Sequence, residues 1–182
     1  MRAFMRWFLY SAVLVFLYAC ECNPLISGWC PLFIIPLATA VAMHEGELAA
    51  GIFGAVCGLL LDMANGVSVV GFSSMWLLAA CPLISLLARF WVKVNPFSHL
   101  VINAAVCVIM GLLDTLFLHW VWEGNDTVIS ITRTIIPEYG WAVIFSVPIY
   151  LLVRLISVKL RPKEERRLEE SAQAADEYEE QE

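Results

Sequence analysis

The chain has 182 residues, of which 60% are hydrophobic and 15% are charged, and its mean hydropathy is +0.76. A water-soluble protein of this size has too little interior to bury so much apolar surface, so the composition excludes a single soluble domain. The net charge of −6 says little about a binding partner, because the acidic residues concentrate in one terminal segment, Glu164–Glu182.

Six apolar segments have about the length of the ~20 helical residues that cross the hydrocarbon core of a bilayer. In chain order they are Phe4–Cys20, Leu25–Met43, Leu48–Ala64, Phe72–Trp91, Leu100–Trp122 and Gly140–Lys159. The second segment contains Pro31 and Pro36, which kink or open a helix, and a five-span protein follows if it only dips into the bilayer. We therefore expect an all-α integral membrane protein with about six transmembrane helices.

The basic residues indicate how these helices are oriented. With a cytoplasmic N-terminus, ten of the eleven Lys and Arg fall in inside segments and only Arg133 falls outside. This predicts cytoplasmic termini, a polytopic transmembrane domain over 1–160 and a disordered, charged cytoplasmic tail over 161–182. The first helix is expected to be retained and not cleaved as a signal. One inner turn, His44–Glu47, departs from the pattern because it has no Lys or Arg.

The six cysteines include no C-x-x-C pair, and most lie inside apolar runs. We interpret them as small packing residues, with a disulfide from Cys20 or Cys22 to Cys30 as the alternative.

A stripe of small residues follows the third segment and ends in an acid. Its members are Gly46, Ala50, Gly51, Gly54, Gly58 and Asp62. Small residues let membrane helices approach closely, so the stripe predicts either packing within the chain or docking of another protein's helix. The helix dipole disfavours an aspartate in the last turn by roughly 0.3–1 kcal/mol, so helix stability does not explain Asp62. Because Asn65-Gly66 ends the helix one turn later, a solvated helix end and a buried polar role both stay open.

Polar side chains are also expected in the outer third of the bundle, at Glu21, Asp114 and His119. An ionisable group at this depth costs a few kcal/mol unless it is paired, protonated or reached by water. A shared helix face directs Asp114 into the bundle, and its members are Asn103, Cys107, Gly111 and Asp114. For His119 we expect one of two roles. It pairs with Asp114 through a proton or a metal ion, or it is a hydrogen-bonded histidine at the membrane interface.

Enzyme signatures are missing from the sequence. The segment HEGE is not the zinc motif H-E-x-x-H, because Leu48 occupies the place of the second histidine. We expect no catalytic activity, no cofactor, no metal site and no nucleic-acid partner.

The segment Glu45–Phe90, EGELAAGIFGAVCGLLLDMANGVSVVGFSSMWLLAACPLISLLARF, resembles the central signature of the bacterial rod shape-determining protein MreD family. That signature has an acid, spaced glycines, a G-L-x-x-D ending, a short loop, a glycine and another apolar helix. Its places are occupied by Glu47, Gly51, Gly54, Gly58, Asp62 and Gly71. The acidic tail after Arg167 departs from the family's usual short ending.

The resemblance implies a non-catalytic, multi-pass protein of the bacterial plasma membrane that takes part in cell elongation and in control of peptidoglycan synthesis. Its implied partner is the bitopic protein MreC, bound through membrane helices, with links to MreB, RodA and a class B penicillin-binding protein. The implied fold is similar to that of the substrate-binding S component of energy-coupling-factor vitamin transporters. Such an S component is the alternative function. Its A-x-x-x-A docking pattern is missing from the first helix, where Ala12 and Ala19 are seven residues apart.

Overall fold

A computed structural model of the protein describes residues 2–23, 32–65, 71–91, 94–114, 116 and 136–160. These residues form six α-helices. They are α1 (Arg2–Glu21), α2 (Ile34–His44), α3 (Glu47–Asn65), α4 (Phe72–Phe90), α5 (Pro96–Asp114) and α6 (Ile136–Leu160). The predicted tail, 161–182, lies outside the described residues.

Five of the helices are long and apolar enough to cross a membrane, which identifies a multi-pass membrane protein. The exception is α2, whose 11 residues rise only about 16 Å at 1.5 Å per residue. The expected second span, Leu25–Met43, is therefore a short helix in its described part, and its first residues lie outside that part. The expected boundaries of the third and fourth spans agree with α3 and α4 to within one residue.

The short helix α2 forms the centre of the bundle. All ten residues from Ile34 to Met43 are buried, and α2 contacts each of the other five helices. Apart from Thr39, the buried residues of α2 are apolar on every side of the helix, as expected for a helix that other helices surround. Pro36 does not break the helix, because it lies in the first turn, where backbone N–H groups have no acceptor within the helix.

The most extensive helix contact joins α3 and α4, which are consecutive in the chain. The least buried of the spanning helices is α1, which packs on α2, α3 and α6 mainly through Tyr10 and Leu14. The opposite side of α1 is apolar and exposed, with Phe4 at 79% and Phe16 at 66%. In a membrane this surface faces hydrocarbon, so its exposure carries no hydrophobic penalty.

The two ends of the bundle are distinguished by the chain. We call the end where α1 begins and α6 finishes the terminal end. The same end contains the turn between α2 and α3, because Arg6 on α1 pairs with Glu45 in that turn. The opposite end contains the junction between α3 and α4.

The central position of α2 can be tested by adding bulk to it. Ala40 has no exposed surface, so Ala40→Leu should lower the midpoint of thermal unfolding in detergent, because overpacking a core costs about 1–3 kcal/mol. The matched variant Ala105→Leu, at an exposed position of α5, should leave the midpoint nearly unchanged. Equal midpoints for the two variants would contradict the placement of α2 at the centre.

Candidate functional site

Asp62 caps the N-terminus of the following helix. Its Oδ2 accepts a hydrogen bond from the Gly71 backbone N–H at 2.7 Å, and its Oδ1 accepts one from the Ser73 N–H at 3.2 Å. The side chain is disfavoured by the C-terminal end of α3, but it sits where the dipole of α4 favours negative charge. Asp62 is only 1% exposed, so it is a buried polar group and not a solvated helix end.

Gly71 makes this cap geometrically accessible. Its φ of +105° lies in the left-handed region, which a residue with a Cβ rarely adopts. The signature residues Asp62 and Gly71 therefore act as one unit that begins α4.

The glycine stripe of α3 packs against α4. A Cβ built at Gly58 would lie 2.5 Å from backbone atoms of Ser73 and Ser74, and one at Gly54 would lie 2.7 Å from the Leu77 carbonyl oxygen. At Gly51 the neighbour is a side-chain carbon of Pro82, at 3.0 Å. The sequence left open whether these glycines pack within the chain or against another protein. In the structure they pack within the chain. This face of α3 is covered by α4.

An ion pair lies at the terminal end of the bundle. Arg6 Nε is 3.1 Å from Glu45 Oε1, and the two side chains are only 7% and 6% exposed. The Ser85 hydroxyl on α4 donates a hydrogen bond to the Glu45 backbone oxygen at 2.8 Å. A second, more exposed pair joins Arg89 to Glu47 at 3.9 Å. The turn that carries no Lys or Arg of its own is thus paired with arginines from α1 and α4.

A polar seam runs between α2, α5 and α6. It consists of five side chains with no exposed surface, Thr39, His99, Asn103, Ser146 and Tyr150. Sequence reasoning missed it except for Asn103, which the shared face on α5 directed inward together with Cys107 and Gly111. All three are buried. The signal that could have found the seam was the set of isolated polar residues within apolar spans, because such residues rarely face lipid.

Thr39 connects two helices of the seam. Its hydroxyl oxygen lies 3.1 Å from His99 Nε2, 3.1 Å from Asn103 Oδ1 and 3.1 Å from the Pro36 carbonyl oxygen. The last two oxygens only accept, so the single hydroxyl proton goes to one of them and His99 Nε2–H donates to Thr39. This assigns the lone pair of the imidazole to Nδ1. The Asn103 amide also donates to the Ala142 carbonyl oxygen at 3.4 Å, which ties α5 to α6.

The expected outer polar contacts are described only in part. Glu21 Oε1 accepts a hydrogen bond from the Ile34 N–H at 3.0 Å, so Glu21 caps the N-terminus of α2. Asp114 is the last residue of α5, and its side chain lies outside the described residues, as does all of His119. Their predicted contact remains a prediction.

A lateral groove separates α1 from α3 on the lipid-facing side. Its volume is about 390 Å³, and its walls are almost entirely apolar. It is lined by Trp7, Ser11, Leu14, Ala49, Ile52, Phe53 and Val56. The lining includes the rings of Trp7 and Phe53, whose centroids lie 6.1 Å apart.

The described side chains are suited to helix contacts. Where the structure describes the chain, no three His, Cys, Asp or Glu side chains are grouped so that they could hold a metal ion. Each signature residue with a polar side chain that is described takes part in a cap or an ion pair. Comparison of the chain with protein-family models, with curated proteins and with solved structures finds no match.

The buried pair of Arg6 and Glu45 gives a testable prediction. Glu45→Gln should lower the free energy of unfolding by about 3–5 kcal/mol, because it removes the carboxylate that lies 3.1 Å from the buried Arg6 side chain. The double variant Arg6→Met/Glu45→Gln should recover part of that loss. The control Glu47→Gln should cost at most about 1 kcal/mol, because its partner Arg89 is 73% exposed. Thermal unfolding in detergent measures all three, and equal losses for the two glutamates would contradict the assigned burial.

The contact between α3 and α4 gives another prediction, in which two glycine substitutions change the unfolding midpoint in different directions. Gly58→Ala should lower the unfolding midpoint, because the clash with fixed backbone atoms of α4 outweighs the gain of about 1 kcal/mol in helix propensity. Gly140→Ala should maintain or raise the midpoint, because a Cβ there meets nothing within 4 Å on helix α6. A raised midpoint for Gly58→Ala would show that the helices are farther apart than described.

Proposed function

We propose that this protein is a non-catalytic membrane component of a bacterial cell-elongation complex, of the MreD type, and that it binds a bitopic MreC-like protein through membrane helices. The observation that carries the proposal is the α3–α4 hairpin. The segment that resembles the MreD signature is also the one that builds the most extensive helix contact of the bundle. Its glycines, its aspartate and the glycine after the loop each have a packing or capping role.

These roles explain how such a signature can be characteristic without performing chemistry. Asp62 accepts two backbone hydrogen bonds, and Glu47 pairs with Arg89. Asp62, engaged in this way, fixes the start of α4 and therefore the junction of the hairpin. A protein whose polar residues serve its own helix junctions is suited to present a rigid membrane surface to other membrane helices.

The charge distribution supports a cytoplasmic location for the terminal end. The first turns of α1 and the last turns of α4 and α6 meet there and bring Arg6, Arg89, Arg154 and Lys159 to that side. Basic residues prefer the inner side of a plasma membrane. In this proposal both termini are cytoplasmic, on the same side of the membrane as MreB. The same assembly would include RodA and a class B penicillin-binding protein.

Co-purification tests the proposed function. The full-length chain, expressed with an MreC-like protein from the same genome, should be retained with it in detergent at a defined stoichiometry, and its depletion should convert rods to round cells. An unrelated bitopic protein of similar hydrophobicity serves as the control for non-specific association. Equal retention of both partners, or cells that stay rod-shaped, would refute the proposal. A vitamin carried through purification by the chain would support the S-component function instead.

A further inference from the structure

Three atoms of the polar seam lack a hydrogen-bond partner among the described residues. They are His99 Nδ1, Ser146 Oγ and Tyr150 Oη, each buried from the surface. A hydroxyl or imidazole taken out of water without a replacement partner destabilises the folded protein, so three such atoms would be a large penalty for a small bundle.

The three side chains belong to two adjacent helices, α5 and α6. Ser146 and Tyr150 are four residues apart on α6 and therefore lie on the same face. The His99 ring on α5 stacks on the Tyr150 ring, with centroids 4.9 Å apart and planes 26° apart. Since His99 Nε2–H is used by Thr39, Nδ1 presents a lone pair, whereas the two hydroxyls can each donate and accept.

We propose that α2, α5 and α6 enclose a binding site for ordered water, held by His99 Nδ1, Ser146 Oγ and Tyr150 Oη. Water matches this set because it donates to the imidazole lone pair and exchanges hydrogen bonds with both hydroxyls. Buried waters in proteins make about three such bonds. The five seam side chains include no carboxylate, ammonium or guanidinium group. Their titratable and charged neighbours are His44, whose ring centroid lies 5.4 Å from that of Tyr150, and Arg154, which is exposed one turn further along α6.

The location is compatible with entry of water from the terminal end. His99 is the fourth residue of α5, within the first turn from that end. The histidine of the site therefore lies near the terminal end of α5, while all three side chains are buried inside the bundle.

Stability measurements distinguish a hydrated seam from a dry one by sign. If water is bound, Tyr150→Phe and Ser146→Ala should each lower the unfolding midpoint, and the double variant should lose less than the sum, because both disrupt the same water. If the seam is dry, each change removes a bare buried hydroxyl and should raise the midpoint.

Ser157→Ala is the matched control on the same helix. Ser157 is 1% exposed and lies seven residues from Tyr150, so about 10 Å away along α6. Its effect should add to that of Tyr150→Phe. Equal coupling for Ser146 and Ser157 would overturn the assignment of one shared water.

Radiolytic labelling of the intact protein in detergent and ¹⁸O-water provides a second measurement. A bound water should deliver label to Tyr150 although its side chain has no exposed surface. Met110, a reactive side chain that is 1% exposed on α5, should stay near background. Labelling of Tyr150 no greater than that of Met110, or a raised midpoint for Tyr150→Phe, would overturn the proposal.

Discussion

The arrangement of this bundle depends on the need to give charged and capping groups partners inside the protein, because hydrocarbon offers no hydrogen bonds. Charged and capping side chains accordingly lie at helix junctions. Glu21 begins α2, Asp62 begins α4, and Glu45 holds the turn between α2 and α3 against α1. Each of these carboxylates joins two helices that are distinct in the chain. The polar residues thus define which helix ends meet. The apolar surfaces do not, because they are as stable against lipid as against another helix.

The close contact between α3 and α4 has the same origin in a different form. Helices in a membrane gain little from burying apolar side chains against each other, so they associate where their backbones can approach. Gly54 and Gly58 supply that approach, and the hydroxyl of Ser74 adds a hydrogen bond to the Ala55 carbonyl oxygen at 2.8 Å. Since α4 covers this face, a partner helix must use another surface of the protein.

The proposed role as a helix-binding component is supported by the use of these polar side chains for contacts within the protein. The acidic side chains of the signature segment form contacts within the protein. Asp62 caps α4, Glu47 pairs with Arg89, and Glu45 pairs the turn before α3 with Arg6. The result is a bundle whose central helix, α2, contacts each of the other five described helices. Such a bundle presents an apolar outer surface, including the groove between α1 and α3, whose shape is set by buried contacts.

The sequence alone determined the limits of α3 and α4 to within one residue, because hydropathy and helix length are local properties. It counted the segment of the short helix α2 among six spans, whereas five of the described helices are long and apolar enough to cross a membrane. It also placed Asn103, Cys107 and Gly111 on a buried face, since that face follows from helical periodicity. Tertiary structure decided which polar groups meet. Thr39 and His99 are 60 residues apart in the chain, and Asp62 and Ser73 are 11 residues apart across a loop. The central position of α2 was decided in the same way, because a segment too short to span the bilayer has its place defined only by the five helices that surround it.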